Sequence, residues 1–223
     1  MEKREIVYVF DILCVWGYGF LPVLKQIIAE YNEYFNFQTV NGGLHIRNKR
    51  MKAKDKLPDD YKNVYQNIKK ITGADVTDHY LDDLIQKRDL YLDSEIAAIG
   101  INVFKSYRSD IESRLDFIYY LQDKLFREGK DPNTDEFYET AASHFSISPQ
   151  EFISKMKEKK YEEEAFRDFT FTRKVLKTQA FPSLYLKHSD QEYELLMEGY
   201  KHLKTLDKKF KKITDRQTED NTT

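Results

Sequence analysis

Tyr8-Val9-Phe10-Asp11-Ile12-Leu13-Cys14-Val15-Trp16-Gly17-Tyr18-Gly19-Phe20 passes from an apolar run through a cysteine into a segment rich in glycine and aromatic residues. Ile6 to Phe10 is short, β-branched and aromatic, and reads as a buried strand. Beyond it stands the chain's single cysteine, Cys14. Phe20, Val23, Leu24, Ile27, Ile28 and Tyr31 then fall at helical spacing. Pro22 is expected in the first turns of that helix, where a missing N–H is tolerated. A lone thiol therefore stands where a strand gives way to a helix. Helix N-termini carry unpaired N–H groups and partial positive charge, and both favour a thiolate. Two readings of Cys14 follow: a partly exposed, acidified nucleophile, or a buried and inert small hydrophobe. A Cys-x-x-Cys pair would need its second cysteine at the position of Gly17.

Phe35 to Val40 alternates as a strand, and Asn41-Gly42-Gly43 turns the chain. Residues 1–50 read β-α-β, which favours a right-handed crossover and a parallel strand pair. From about 58 to 175 the pattern is helical. Tyr61, Val64, Tyr65 and Ile68 share one face, and Ala97, Ala98, Ile101, Phe104 and Tyr107 share another. Asp93-Ser94, Thr134 and Ser148-Pro149 open helices. No fixed period recurs, so this is a bundle and not a repeat array. Ala180 to Leu186 and Tyr193 to Met197 then read as a hairpin, and Leu203, Leu206 and Phe210 mark a last helix. The expected organisation is a core in two parts, 1–57 and 176–214, a helical domain at 58–175 inserted between them, and a disordered polar tail at 215–223.

The 223 residues carry a formal net charge of −2, with 33% charged and 40% apolar residues. This balance gives no case for nucleic-acid or membrane binding by charge. Sixteen tyrosines and 15 phenylalanines predict an aromatic core. One cysteine excludes an intramolecular disulfide and suits a reducing compartment. Asp11 interrupts the N-terminal apolar run and no small-residue cleavage site follows, so the stretch reads as a strand and not a signal peptide. No segment reaches the apolar length of a membrane span, and a cytoplasmic location is expected by elimination. His79, His144, His188 and His202 share no metal-like spacing, so no metal is expected.

The segment Phe10 to Phe20 closely resembles the active-site segment of DsbA-family thiol oxidoreductases, in the cytosolic FrnE-like branch. There the pattern runs roughly Phe-Asp-Pro-x-Cys-x-Trp-Cys-Tyr-Gly-Phe. Asn41-Gly42-Gly43-Leu44 resembles the branch's Gly-Gly turn, and Phe181-Pro182-Ser183-Leu184 its cis-proline segment. Gly199-Tyr200 matches the Gly-Tyr before its last helix. These landmarks cover residues 1–50 and roughly 175–210. Ile12 departs from the pattern, and Gly17 replaces the resolving cysteine. The resemblance implies an α/β, thioredoxin-like fold with an inserted all-helical domain.

It also implies thiol-disulfide chemistry, here restricted to one thiol. A dithiol enzyme resolves its own mixed disulfide with a second sulfur. This chain would need an external thiol such as glutathione, with Cys14 as nucleophile and no permanently bound cofactor. Asp11, three residues before Cys14, would handle a proton, or else cap the strand end. Trp16, Gly17, Tyr18, Phe181 and Pro182 would line the substrate groove. Trp16 and Tyr18 would form an apolar rim, or else pack against the helical domain. His45 could approach the site. Arg47, Lys49, Arg50, Lys52, Lys54 and Lys56 would offer an anion site, or else form a solvated loop. The partners implied are protein thiols or disulfides and glutathione. Two alternatives stay open: a redox-inactive adaptor that binds a client protein for a Clp-type protease, and a kappa-type glutathione-dependent isomerase. The second usually carries serine near the position of Cys14.

Overall fold

The apolar run before Asp11 forms the strand around which the main sheet is built. The computed structural model describes residues 3–47, 51–56, 59–87, 90–178 and 180–220. In chain order the first elements are β1 (Arg4–Phe10), α1 (Val15–Tyr31), β2 (Phe35–Asn41), β3 (Met51–Lys52), α2 (Tyr61–Thr72) and β4 (Tyr91–Leu92). There follow α3 (Ser94–Lys105), α4 (Ile111–Phe126), α5 (Asp135–His144), α6 (Pro149–Met156), α7 (Lys159–Lys174), β5 (Ser183–Lys187), β6 (Tyr193–Glu198) and α8 (Leu203–Asp220).

The main sheet runs β2-β1-β5-β6. β1 and β2 are parallel, with Tyr8 opposite Thr39. β5 is antiparallel to β1, with Leu184 opposite Tyr8, and β6 is antiparallel to β5. β1 is an interior strand covered on both faces, which is why its sequence is a continuous apolar run and not an alternation. Ile6, Tyr8 and Phe10 face the large core that α1, α4 and α8 also enter, while Val7 and Val9 pack with Val40, Leu176 and Tyr185 on the other side.

The helices between β2 and β5 form where their caps and periods place them. Asp93 accepts from the Glu95 N–H, Asp110 from Ser113, Thr134 from Phe137 and Ser148 from Glu151. The aromatic count goes largely inward. Phe104 stacks on Phe117 with centroids 4.0 Å apart, and Phe145 meets both edge-on. Burying each such ring contributes about 1.5–3 kcal/mol.

Three details differ from the sequence expectation. Pro22 is in the interior of α1, not its first turns. It therefore leaves the Tyr18 carbonyl without the usual N–H four residues on. Within the stretch expected to be helical, Tyr91–Leu92 pairs antiparallel with Met51–Lys52. A two-residue ladder shows no periodicity to read. α8 continues to Asp220, past the start of the expected tail. The expected boundary at Leu57-Pro58 lies outside the described residues.

Candidate active site

Cys14 is the N-cap of α1, with extended backbone (φ −91°, ψ 104°). Its N–H donates to the Asp11 carbonyl at 3.0 Å, and its carbonyl accepts from the Tyr18 N–H at 3.1 Å. This tight turn aims the side chain at the loop before β5. Sγ donates to the Phe181 carbonyl at 3.4 Å. The Phe181–Pro182 peptide bond is cis. The resemblance therefore brought together two segments 167 residues apart that meet at one sulfur.

The electrostatics differ from the expected acidified thiol. Cys14 is only 9% exposed. Burial pushes its pKa up to about 12. The Gly17 and Trp16 N–H groups at the helix start pull it down, and the Asp11 carboxylate pushes it further up. Desolvation of the thiolate outweighs the helix N-terminus here. Local sequence shows the helix start but not the elements that cover the sulfur.

Asp11 is buried and sits in the turn between β1 and α1. One carboxylate oxygen accepts from the Leu13 N–H at 2.9 Å, and the other from the Leu44 N–H at 2.7 Å. It therefore joins the turn to the chain leaving β2. Burial raises its pKa, while those N–H bonds oppose the rise.

Trp16 is half-buried, its ring centroid 6.3 Å from that of Tyr200. Tyr200 meets Phe20 edge-on. Phe181 is half-buried and Pro182 buried. A Cβ at Gly42 would clash with the edge of the Phe181 ring, so this close approach requires glycine. Gly17 faces open contact distances. A Cβ there would lie 3.6 Å from Gln122 Nε2, 3.8 Å from the Asp11 carbonyl and 3.8 Å from Cys14 Cβ.

Tyr18 is not on the rim. It is 2% exposed, packs against Tyr119 and Phe126 of α4, and donates its hydroxyl to Asp123 at 2.8 Å. The helical rotation from Trp16 to Tyr18 turns the second ring inward. His45 is buried, with its backbone tied to Ser94. Within the basic run, the Arg47 guanidinium sits over the Phe166 ring at 4.2 Å. Lys49 and Arg50 lie outside the described residues.

Gln122 is a further residue at this turn, not among those expected from the sequence. This residue of α4 is fully buried, and its Nε2 lies 3.4 Å from the carbonyls of Asp11, Ile12 and Cys14. A signal existed: Gln122 shares the apolar face of Leu115, Ile118 and Leu125, where a polar residue stands out. Among the described residues no cluster of His, Cys, Asp or Glu could hold a metal ion. None of their helices is long and apolar enough to cross a membrane.

No family model matches the chain, and no curated protein matches it. Solved structures do. A candidate protein disulfide isomerase from Nitrosomonas europaea superposes with a TM-score of 0.80 at 19% identity, over 97% of this chain and 99% of that one. The cytosolic disulfide reductase DsbM from Pseudomonas aeruginosa gives 0.72 at 16%, over 96% and 98%. The same reductase with GSH gives 0.70 at 16%, over 96% and 99%. The chain has a thioredoxin-like fold with a helical insertion, in the arrangement these thiol-disulfide proteins share.

Proposed function

We propose that the protein is a monothiol exchanger in which Cys14 takes up glutathione from mixed disulfides. The observation that carries this reading is the sulfur at the start of α1, held 3.4 Å from the Phe181 carbonyl. The similarity to a reductase whose structure contains GSH supports the choice of thiol. The Cys14 thiolate attacks the glutathione sulfur of a protein–glutathione disulfide. That S–S bond breaks, and the client sulfur leaves and takes a proton. A second glutathione thiolate then attacks the Cys14 disulfide. Oxidised glutathione departs and Cys14 is restored, so one glutathione thiol is oxidised for each client thiol released, its disulfide partner being the glutathione taken from the client.

In this reading Asp11 holds the turn and, with its raised pKa, is the acid nearest in sequence to the sulfur. Trp16 and Phe181 flank the approach, Pro182 fixes the end of the groove, and Gly17 leaves room beside the sulfur. The high thiol pKa makes the reaction slow at neutral pH and faster in base. Uptake from oxidised glutathione should accelerate about tenfold per pH unit between about pH 7 and 9.

A second reading is a redox-silent binding module that engages a client through the same groove. One observation favours it: the thiol is 9% exposed and its pKa is pushed up to about 12. Incubation with oxidised glutathione across pH, read by intact mass, separates the two. A single adduct, absent in Cys14→Ser and rising with pH, supports exchange. No adduct on the folded protein at any pH removes exchange and leaves the binding module.

A further inference from the structure

Gln122 is a buried polar side chain beside the Cys14 turn that the exchange reading leaves unused. It belongs to α4, which packs against α1, and is 0% exposed. Its amide nitrogen faces three carbonyls, of Asp11, Ile12 and Cys14, each at 3.4 Å. These are the carbonyls of the turn that leads from β1 into α1. Reversing the amide would point an acceptor at three acceptors, so its orientation follows from its surroundings. Its Oε1 has no hydrogen-bond partner among the described residues. An orphaned buried acceptor is costly, and leucine or methionine would fill the space without it. The side chain therefore does more than occupy volume.

We propose that Gln122 is a positioning residue for Cys14: from the helical insertion it holds the Asp11–Cys14 turn closed, keeping Sγ against the Phe181 carbonyl and away from solvent. It acts through the backbone of the turn and touches no reacting atom. The inference deepens the exchange reading and rests on it, because it makes the helical insertion the part that sets access to the thiol. Its location fits such a role, since a Cβ at Gly17 would lie 3.6 Å from the same amide nitrogen.

The test is the rate of Cys14 alkylation by iodoacetamide against pH in the full chain, with thermal unfolding as the check on folding. Gln122→Met keeps the volume and removes the donors. Gln122→Leu is apolar as well and removes them without adding a charge. Either folded variant should alkylate about tenfold faster at pH 8, with the midpoint moved down toward the free-thiol value of about 8.5. A residue that only fills space predicts no change in Gln122→Met. Folded variants with the wild-type rate and midpoint overturn the proposal. Loss of cooperative folding in both also overturns it, since Gln122 would then be a packing residue. Glutathione is absent from this assay, so its outcome is independent of whether the wild type takes up glutathione.

Discussion

Gly17→Cys places a second sulfur where the backbone already has room for it. A Cβ at position 17 would lie 3.8 Å from Cys14 Cβ. Disulfides hold their Cβ atoms about 3.5–4.5 Å apart, so the bridge closes without backbone movement. The other near atoms, Gln122 Nε2 at 3.6 Å and the Asp11 carbonyl at 3.8 Å, are ordinary contacts. For a loop of about four residues the chain-entropy relation gives about 2 kcal/mol in favour of the oxidised form. In a chain of this length that raises the melting temperature by about 4–8 °C over the reduced form. The redox couple should be reducing. Strongly oxidising pairs, near about −120 mV, depend on a stabilised thiolate, whereas burial here disfavours the Cys14 thiolate. A potential at or below about −270 mV is expected. The assay equilibrates Gly17→Cys in dithiothreitol buffers, traps free thiols and counts them by mass, with thermal melts of both end states. Failure to form the internal bridge refutes the geometric argument. A potential near about −120 mV refutes the argument from burial.

Three further outcomes follow from the same geometry. Asp11→Asn removes a negative charge that pushes the thiol up, so the Cys14 alkylation midpoint should fall. It should also cost about 1–3 kcal/mol, because one amide oxygen cannot replace both carboxylate acceptors of the Leu13 and Leu44 N–H groups. A midpoint that rises contradicts this account. Tyr18→Phe loses the 2.8 Å bond to Asp123 and should cost about 1.5–3 kcal/mol in urea unfolding, while leaving Cys14 alkylation unchanged. A large change in alkylation would return Tyr18 to the rim. Finally, the folded thiol keeps its proton up to about pH 12, whereas the unfolded one releases it from about pH 8.5. Its contribution to stability is therefore complete below about pH 8.5 and is lost as pH rises toward the folded value. Relative to Cys14→Ser, the wild type should lose about 1.4 kcal/mol between pH 7.5 and 9.5. Equal slopes for the two proteins would show that Cys14 does not titrate this way.

Much of the fold was legible because its signals are local. Run length separates Ile6–Phe10 from the helical spacing that starts after Cys14. Short polar side chains mark where α3, α5 and α6 begin, because Asp93, Thr134 and Ser148 satisfy N–H groups two or three residues ahead. The resemblance paired Cys14 with Phe181 and Pro182, and those segments do meet. Pro22 and the β3–β4 pair escaped, since helix extent is set by packing and a two-residue strand has no period.

Residue identity alone carries the order of the four main-sheet strands and of the helices α1 to α8, though not β3 and β4, together with the single thiol at a strand–helix junction and the glycine three residues beyond it. These depend on residue identity and on contacts a few positions away. How that thiol behaves is set by its neighbours in space. Its desolvation depends on what covers it, including the loop before β5, and the carbonyls of its turn are held by Gln122 from α4. The inward turn of Tyr18 depends likewise on where α4 packs. Burial is a property of the surroundings in space, which is why a helix start that reads as acidifying carries a thiol pushed up to about 12.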